Sequence, residues 1–218
     1  MKLLHIIASP RGQKSHTLHI SSEFLSALRA KYPDLEVEDL DLFTANLPDV
    51  FWGEVAAKYL LMGGGILDEE AQLAWNKIEK HSKAFLHADI YLISSPMWNF
   101  SIPYKLKQYI DIIMQAGILF KFTEKGVEGL AKNKKMFCIT SRGSDYGPAS
   151  GMNQLDFQEP YLRSIFGFAG ITDISFINAQ PMDYTPSLTE ANLEKARAEA
   201  RLMALNCELA MDQPVKAH

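Results

Sequence analysis

Short apolar runs and longer runs with helical spacing take turns along this chain. KLLHIIA (2–8) is a continuous apolar run ahead of a turn, the pattern of a buried strand. From Ser15, SHTLHISSEFLSALRAKY sets Leu18, Phe24, Leu25 and Leu28 on one helical stripe, which Pro33 and Asp34 end. LEVEDLDL (35–42) alternates, like a strand with one wetter face. DEEAQLAWNKIEKHSKAFLHA (68–88) predicts a helix with carboxylates in its first turn, where the macrodipole favours them. DIYLISS (89–95) is a second buried strand, PYKLKQYIDIIMQA (103–116) a helix and KKMFCITS (134–141) another strand. Residues 155–169 read as a helix and TDISFINA (172–179) as the fifth strand. Thr189 is expected to cap a long amphipathic helix that runs to about Ala210, with residues 213–218 as a loose tail.

Residues 43–67 break this rhythm. They hold Pro48, the pair Phe51–Trp52, room for a short helix and three glycines at 63 to 65. The apolar centre marks an excursion from the sheet rather than a linker. Five strands interleaved with helices predict an α/β fold, a doubly wound, mainly parallel sheet in one domain over 1–212. Such sheets bind ligands beyond the carboxyl ends of their strands. The loops starting at Ser9, Pro96 and Arg142 follow the first, third and fourth strands, so they are expected to lie together.

Composition narrows the field of partners. A net charge of -4 over 218 residues argues against nucleic acid, which usually needs a basic face. Cys138 and Cys207 lie far apart, against a disulfide framework or a metal site and in favour of a reducing cytoplasm. The opening apolar stretch is too short for a membrane span and has no small-residue cleavage pattern behind it.

The first loop, SPRGQKSHT (9–17), runs into a helix but is no standard nucleotide loop. A P-loop ending at Ser15 would need Gly where Ala8 and Gln13 stand, and a dinucleotide fingerprint would need glycines besides Gly12. Ser15 suits an N-cap, which leaves the amides of His16 and Thr17 at a positive helix end. Ser9, Ser15 and Thr17 add hydroxyls, and Arg11 or Lys14 charge. The same residue types also cap ordinary helices. In the second loop, PMWNFSIP (96–103), two prolines restrain Met97, the flat faces of Trp98 and Phe100 and the polar Asn99. A planar heterocycle with a polar edge wants this mixture; core packing of the two aromatics is the plainer alternative. The third loop, SRGSDYGP (141–148), offers Gly143 for close approach or positive φ, with Ser141 and Ser144 as hydroxyls. Together the loops describe a flavin mononucleotide site better than a nicotinamide dinucleotide site, since one terminal phosphate needs no glycine-rich diphosphate turn.

On these residues the chain resembles the FMN-dependent NADH-azoreductase family of flavodoxin-like quinone reductases, over nearly its full length. The resemblance rests on SSPMWNFSIPYKLKQYID (94–111), AGILFKFTEKGVEGL (116–130), KKMFCITSRG (134–143) and PYLRSIFGFAGITDISFINA (160–179). It implies a flavodoxin-like five-stranded parallel sheet with helices on both faces, non-covalent FMN, and a homodimer with two active sites at its interface. It also implies ping-pong transfer from NADH or NADPH to quinones or aromatic azo compounds. Carried over by motif, Ser9 and Ser15–His16–Thr17 are phosphate contacts. Met97, Trp98, Asn99 and Phe100 form the isoalloxazine and ribityl wall, and Ser141, Arg142, Gly143 and Ser144 the pyrimidine edge. Trp98 stands where many relatives carry Tyr, and Ser144 replaces a glycine of some members. The excursion 43–67 matches poorly. Phe120 and Phe122 fall either at the neighbouring subunit's site or in a packed interface.

No histidine forms a nucleophile–base pattern in the sequence, so no catalytic acid–base residue and no metal is assigned. The cofactor carries the chemistry and the protein orients it. Two other classes share the flavin: a flavodoxin-type electron carrier, usually shorter and more acidic, and a redox-responsive flavin-binding interaction protein.

Overall fold

The structure, a computed structural model, describes residues 1–209. In chain order its elements are β1 (Lys2–Ile7), α1 (His16–Lys31), β2 (Glu36–Asp41), α2 (Trp52–Met62), α3 (Glu69–His87), β3 (Ile90–Pro96) and α4 (Tyr104–Ile113). Then follow β4 (Phe120–Thr123), β5 (Gly126–Gly129), β6 (Lys135–Ser141), α5 (Glu159–Phe168), β7 (Asp173–Ala179) and α6 (Pro186–Asn206). Five strands make one sheet in the order β2-β1-β3-β6-β7, every pair parallel. This is the doubly wound order in which the chain reverses direction of growth between β1 and β3.

Alternation along each buried strand builds two cores. Leu4, Ile6, Tyr91, Ile93, Met136 and Cys138 face one side, against Ile78 and Phe85 of α3, Leu106 and Ile110 of α4 and Phe166 of α5. Leu3, Leu92, Phe137 and Ile139 face the other, against Ile20 and Phe24 of α1 and Ala196, Ala200 and Ala204 of α6. Helices therefore cover both faces, as both the strand pattern and the resemblance imply. The alanine stripe of α6 lets that helix lie close against its neighbours.

Several boundaries differ from the sequence reading. The last helix starts at Pro186, not Thr189, and Thr185 is its N-cap, accepting from the Leu188 N–H at 3.4 Å. Pro186 at the first helical position explains the choice, because its missing N–H needs no partner there. Thr189 instead donates its hydroxyl to the Met182 carbonyl. The helix ends at Asn206; Ala210 and the tail 213–218 lie outside the described residues. α4 stops at Ile113 and α5 begins at Glu159, where Asp156 accepts from the Gln158 and Glu159 N–H groups. The segment 116–130, in which the sequence shows no clear strand, contains the antiparallel hairpin β4–β5. Its strands are four residues each, too short for a periodicity to register. The excursion 43–67 does carry a helix, α2, with Glu54 accepting from the Phe51 N–H.

Candidate functional site

The loops after β1, β3 and β6 meet at the carboxyl edge of the sheet, and Ser141 is where they are tied. Its hydroxyl pairs with Thr17 Oγ1 at 2.7 Å, joining the first loop to the third. Its carbonyl accepts from the Met97 N–H at 2.9 Å, joining the second.

In the first loop Gly12 opens a short 3-10 turn at φ +51° and Ser15 begins α1. Ser15 Oγ accepts from the Leu18 N–H at 3.3 Å and from the Ser9 hydroxyl at 2.9 Å, so its own proton is left over from these bonds. Ser9, Ser15 and Thr17 are all buried. Only Ser15 is a cap; the amides of His16 and Thr17 sit in the open first turn, where the helix supplies no acceptor. His16 Nδ1 is buried without a hydrogen-bond partner. Burial, and then the nearby Arg11 and His19, push this imidazole below its usual range, while Asp183 and Glu190 pull it back.

The second loop closes as a tight turn. The Trp98 N–H donates to the Ser101 carbonyl at 2.9 Å and the Ser101 N–H returns to the Trp98 carbonyl at 3.0 Å. The two residues between them, Asn99 at φ 47° and Phe100 at φ 69°, are both left-handed. Asparagine tolerates this region, but a bulky phenylalanine adopts it only when its surroundings hold it there. Trp98 is half-buried against Phe43 and Tyr104, with ring centroids 6.0 and 6.3 Å away. Phe43 comes from the start of the 43–67 excursion. That segment thus supports the aromatic wall from behind.

The third loop corrects one expectation, the positive φ of Gly143, and turns Arg142 inward. Arg142 is 2% exposed and its side chain turns into the protein. Nη1 reaches Asp156 at 2.8 Å, and Nε reaches Thr140 and Gln158. Burial pulls the guanidinium pKa down while Asp156 and Glu159 push it up. Gln158 also donates to the Pro96 carbonyl at 3.0 Å, so Arg142 braces loops two and three from below. Gly143 does not adopt a positive φ. A Cβ there would lie 2.5 Å from Asp183 Oδ2, so the missing side chain makes room for this carboxylate. Ser144 and Tyr146 are half-buried on the same loop, and Tyr146 meets the exposed Phe100 edge-on at 6.2 Å.

Sequence reasoning missed Phe43, Tyr146, Asp156, Gln158 and Asp183. Tyr146 lay within the quoted third loop, and Asp183 within MDY after the fifth strand at the same sheet edge; the others carried no signal. Phe120, read as an interface residue, is buried against Phe168 with centroids 4.8 Å apart, whereas Phe122 is 62% exposed.

The arrangement is a cup with an anion-seeking helix start at one end and an aromatic ledge at the other. Residues 1–203 match a family described as having a flavodoxin-like fold. An FMN-dependent NADH:quinone oxidoreductase of Nitratidesulfovibrio vulgaris is 38% identical over 204 residues, 93% of this chain and 98% of that one. One from Rhizobium meliloti is 39% identical over 211 residues, 94% and 99% of the two chains. Among solved structures, an FMN-dependent NADH-azoreductase from Bacillus anthracis in complex with FMN is similar with a TM-score of 0.81. It is 27% identical and covers 93% of this chain and 99% of its own.

Proposed function

The chain belongs to this flavodoxin-like family, and from that premise we propose that it is an FMN-dependent NADH:quinone oxidoreductase with azo compounds as related acceptors. The observation that carries the reading is the junction at Ser141, which makes one cup of a phosphate-type turn and an aromatic ledge.

The residues fit the cofactor. A phosphate has the spare Ser15 proton, the first-turn amides and the orphaned His16 Nδ1 to accept from. As an Nδ1–H tautomer, His16 donates to a phosphate oxygen without adding charge. Ser9, Met97 and Ser144 complete the contacts proposed from the motifs, while Arg142 serves through its backbone and its bracing. Trp98, Asn99 and Phe100 present a flat face beside exposed backbone. FMN bound here would supply the redox chemistry between NADH and a quinone. The protein orients the reactants, and a rigid turn at Asn99–Phe100 keeps the approach geometry that hydride transfer requires. NADPH is the second donor to be tried.

A homodimer is part of the same reading. Trp52 at 82% exposure and Tyr59 on α2, Ile66 at 92% just after it, and Phe122 on the hairpin give this chain a large outward apolar complement. Sedimentation as a monomer at micromolar concentration would remove this part. Both free cysteines are buried, in keeping with the reducing cytoplasm as the compartment. Among the described residues no helix is long and apolar enough to cross a membrane.

The test is anaerobic. NADH should bleach the visible flavin band of the purified protein, and a quinone added afterwards should restore it. If neither NADH nor NADPH bleaches the band, a flavodoxin-type carrier or a flavin-responsive interaction protein becomes the better reading.

A further inference from the structure

Behind the phosphate turn lies a line of four contacts, three of them buried, that the proposed chemistry does not use. His5 of β1 is 5% exposed. Its Nδ1 is 2.8 Å from Asp39 Oδ1 of β2, and its Nε2 is 2.8 Å from Ser94 Oγ of β3. Ser94 Oγ is 2.5 Å from Ser21 Oγ of α1, and Ser21 lies 2.9 Å from the Thr17 carbonyl. The line climbs toward the carboxyl edge: His5 is level with Asp39, while Ser94 is level with Ile7. It ends in the first turn of α1, whose Thr17 hydroxyl holds Ser141. An aspartate–histidine–serine row can suggest acyl transfer, but Ser94 and Ser21 are fully buried and no substrate reaches them.

Counting hydrogens decides the state of the ring. Four contacts need four hydrogens. The Thr17 carbonyl supplies none. Asp39 supplies none as a carboxylate, and its pKa lies below the usual value chiefly through the hydrogen bond with His5. Ser94 and Ser21 supply one each. The other two must come from His5. A ring protonated only at Nδ1 draws the Ser94 proton to Nε2 and the Ser21 proton to Ser94, which leaves Ser21 and the Thr17 carbonyl with no hydrogen between them. A ring protonated only at Nε2 sets a bare nitrogen lone pair against a carboxylate. The charged groups on this side are Asp39 itself and Arg29 of α1, which acts on Asp39; β3 and α1 otherwise present Ser94 and Ser21.

We propose that His5 is a doubly protonated positioning residue, which through Ser94 and Ser21 fixes the first turn of α1 and sets a buried positive charge behind the phosphate site. The inference rests on the FMN reading for its ligand, but not for its proton count. Asp39 does not cancel the charge at the cup, because its side chain is 61% exposed and water screens it, whereas the imidazolium is enclosed.

The direct test is a long-range nitrogen–proton NMR spectrum of the labelled full-length protein, with and without FMN at neutral pH. The expected pattern for His5 has both ring nitrogens protonated; a neutral pattern overturns the proposal. The functional test is titration calorimetry of FMN and of riboflavin, which lacks the phosphate. Asp39→Asn and Ser94→Ala should each weaken FMN about five- to tenfold, roughly 1–1.4 kcal/mol, and leave riboflavin unchanged. Equal weakening of both flavins, or of neither, overturns the positioning role. Should the wild type bind no FMN, the functional reading fails instead, and the spectrum still decides the proton count.

Discussion

Thr17 and Ser141 are 124 positions apart in sequence, yet their hydroxyls meet at 2.7 Å and close the cup between β1 and β6. Neither side chain is needed for the core, since the helix and the strand are held by Ile20, Phe24, Phe137 and Ile139. Thr17→Val keeps the shape and removes only the hydroxyl. It should weaken FMN by about 1–2 kcal/mol while changing the unfolding free energy of the apo protein by less than about 1 kcal/mol. Ser15→Ala is different, because Ser15 is also the cap: stability should fall by about 1 kcal/mol together with affinity. Calorimetry and urea unfolding of both variants separate the two effects.

Arg142→Met should act on the fold before it acts on the flavin. The substitution strands Asp156 beside a buried apolar chain and frees Gln158. Removing one partner of a buried ion pair costs about 3–5 kcal/mol. Urea unfolding of the apo variant should show this loss. Full stability with lost FMN affinity would return Arg142 to the role of a ligand.

Gly143 and Asp183 should be coupled. Gly143→Ala alone forces the exposed Asp183 carboxylate aside, a shift at the free end of a side chain, and should cost under about 1 kcal/mol. With Asp183→Ala in place the added methyl meets no carboxylate, so the pair should cost less than the two single changes summed. A double-mutant cycle read by thermal unfolding gives the coupling directly. Strict additivity would mean that Gly143 is required for another reason.

His16 sets a pH dependence whose sign is fixed. Its folded pKa is depressed from 6.5, mainly by burial, so below pH 6.5 the unfolded chain binds the proton more readily. The stability contributed by the neutral ring is present above pH 6.5 and is lost as pH falls through that value toward the folded pKa. Unfolding of the apo protein between pH 7.5 and roughly pH 5 should show this decline, and His16→Gln should flatten it. A slope unchanged by the substitution would assign the decline to another group.

The sheet was legible because three of its five strands are compact apolar runs. KLLHIIA, DIYLISS and KKMFCITS are buried on both faces, and burial of that kind needs no partner to be recognised. The placing of three loops at one edge followed from the connection rules. What stayed hidden depends on contacts made across the fold. Nothing in SRG distinguishes an arginine that reaches a ligand from one that turns inward to Asp156, fourteen residues later. Gly143 looked like a residue of unusual φ, and the space it leaves is visible only once Asp183 is beside it. Phe120 and Phe122 stand two apart in β4 and share a face, with rings 5.7 Å apart, so strand periodicity treats the buried ring and the exposed one alike.

The order in which the chain leaves the ribosome gives the Ser141 junction a further meaning. The first loop and the aromatic turn are made early, but each is held by a residue of β6, the fourth of the sheet's five strands in chain order. Until residue 141 has emerged and β6 has docked beside β3, the Thr17 hydroxyl has no Ser141 partner and the Met97 N–H has no acceptor. The brace from Gln158 to Pro96 arrives later still. In a nascent or truncated chain that stops short of β6 neither bond can form, so the three loops are tied together only after the fourth strand of the sheet has paired.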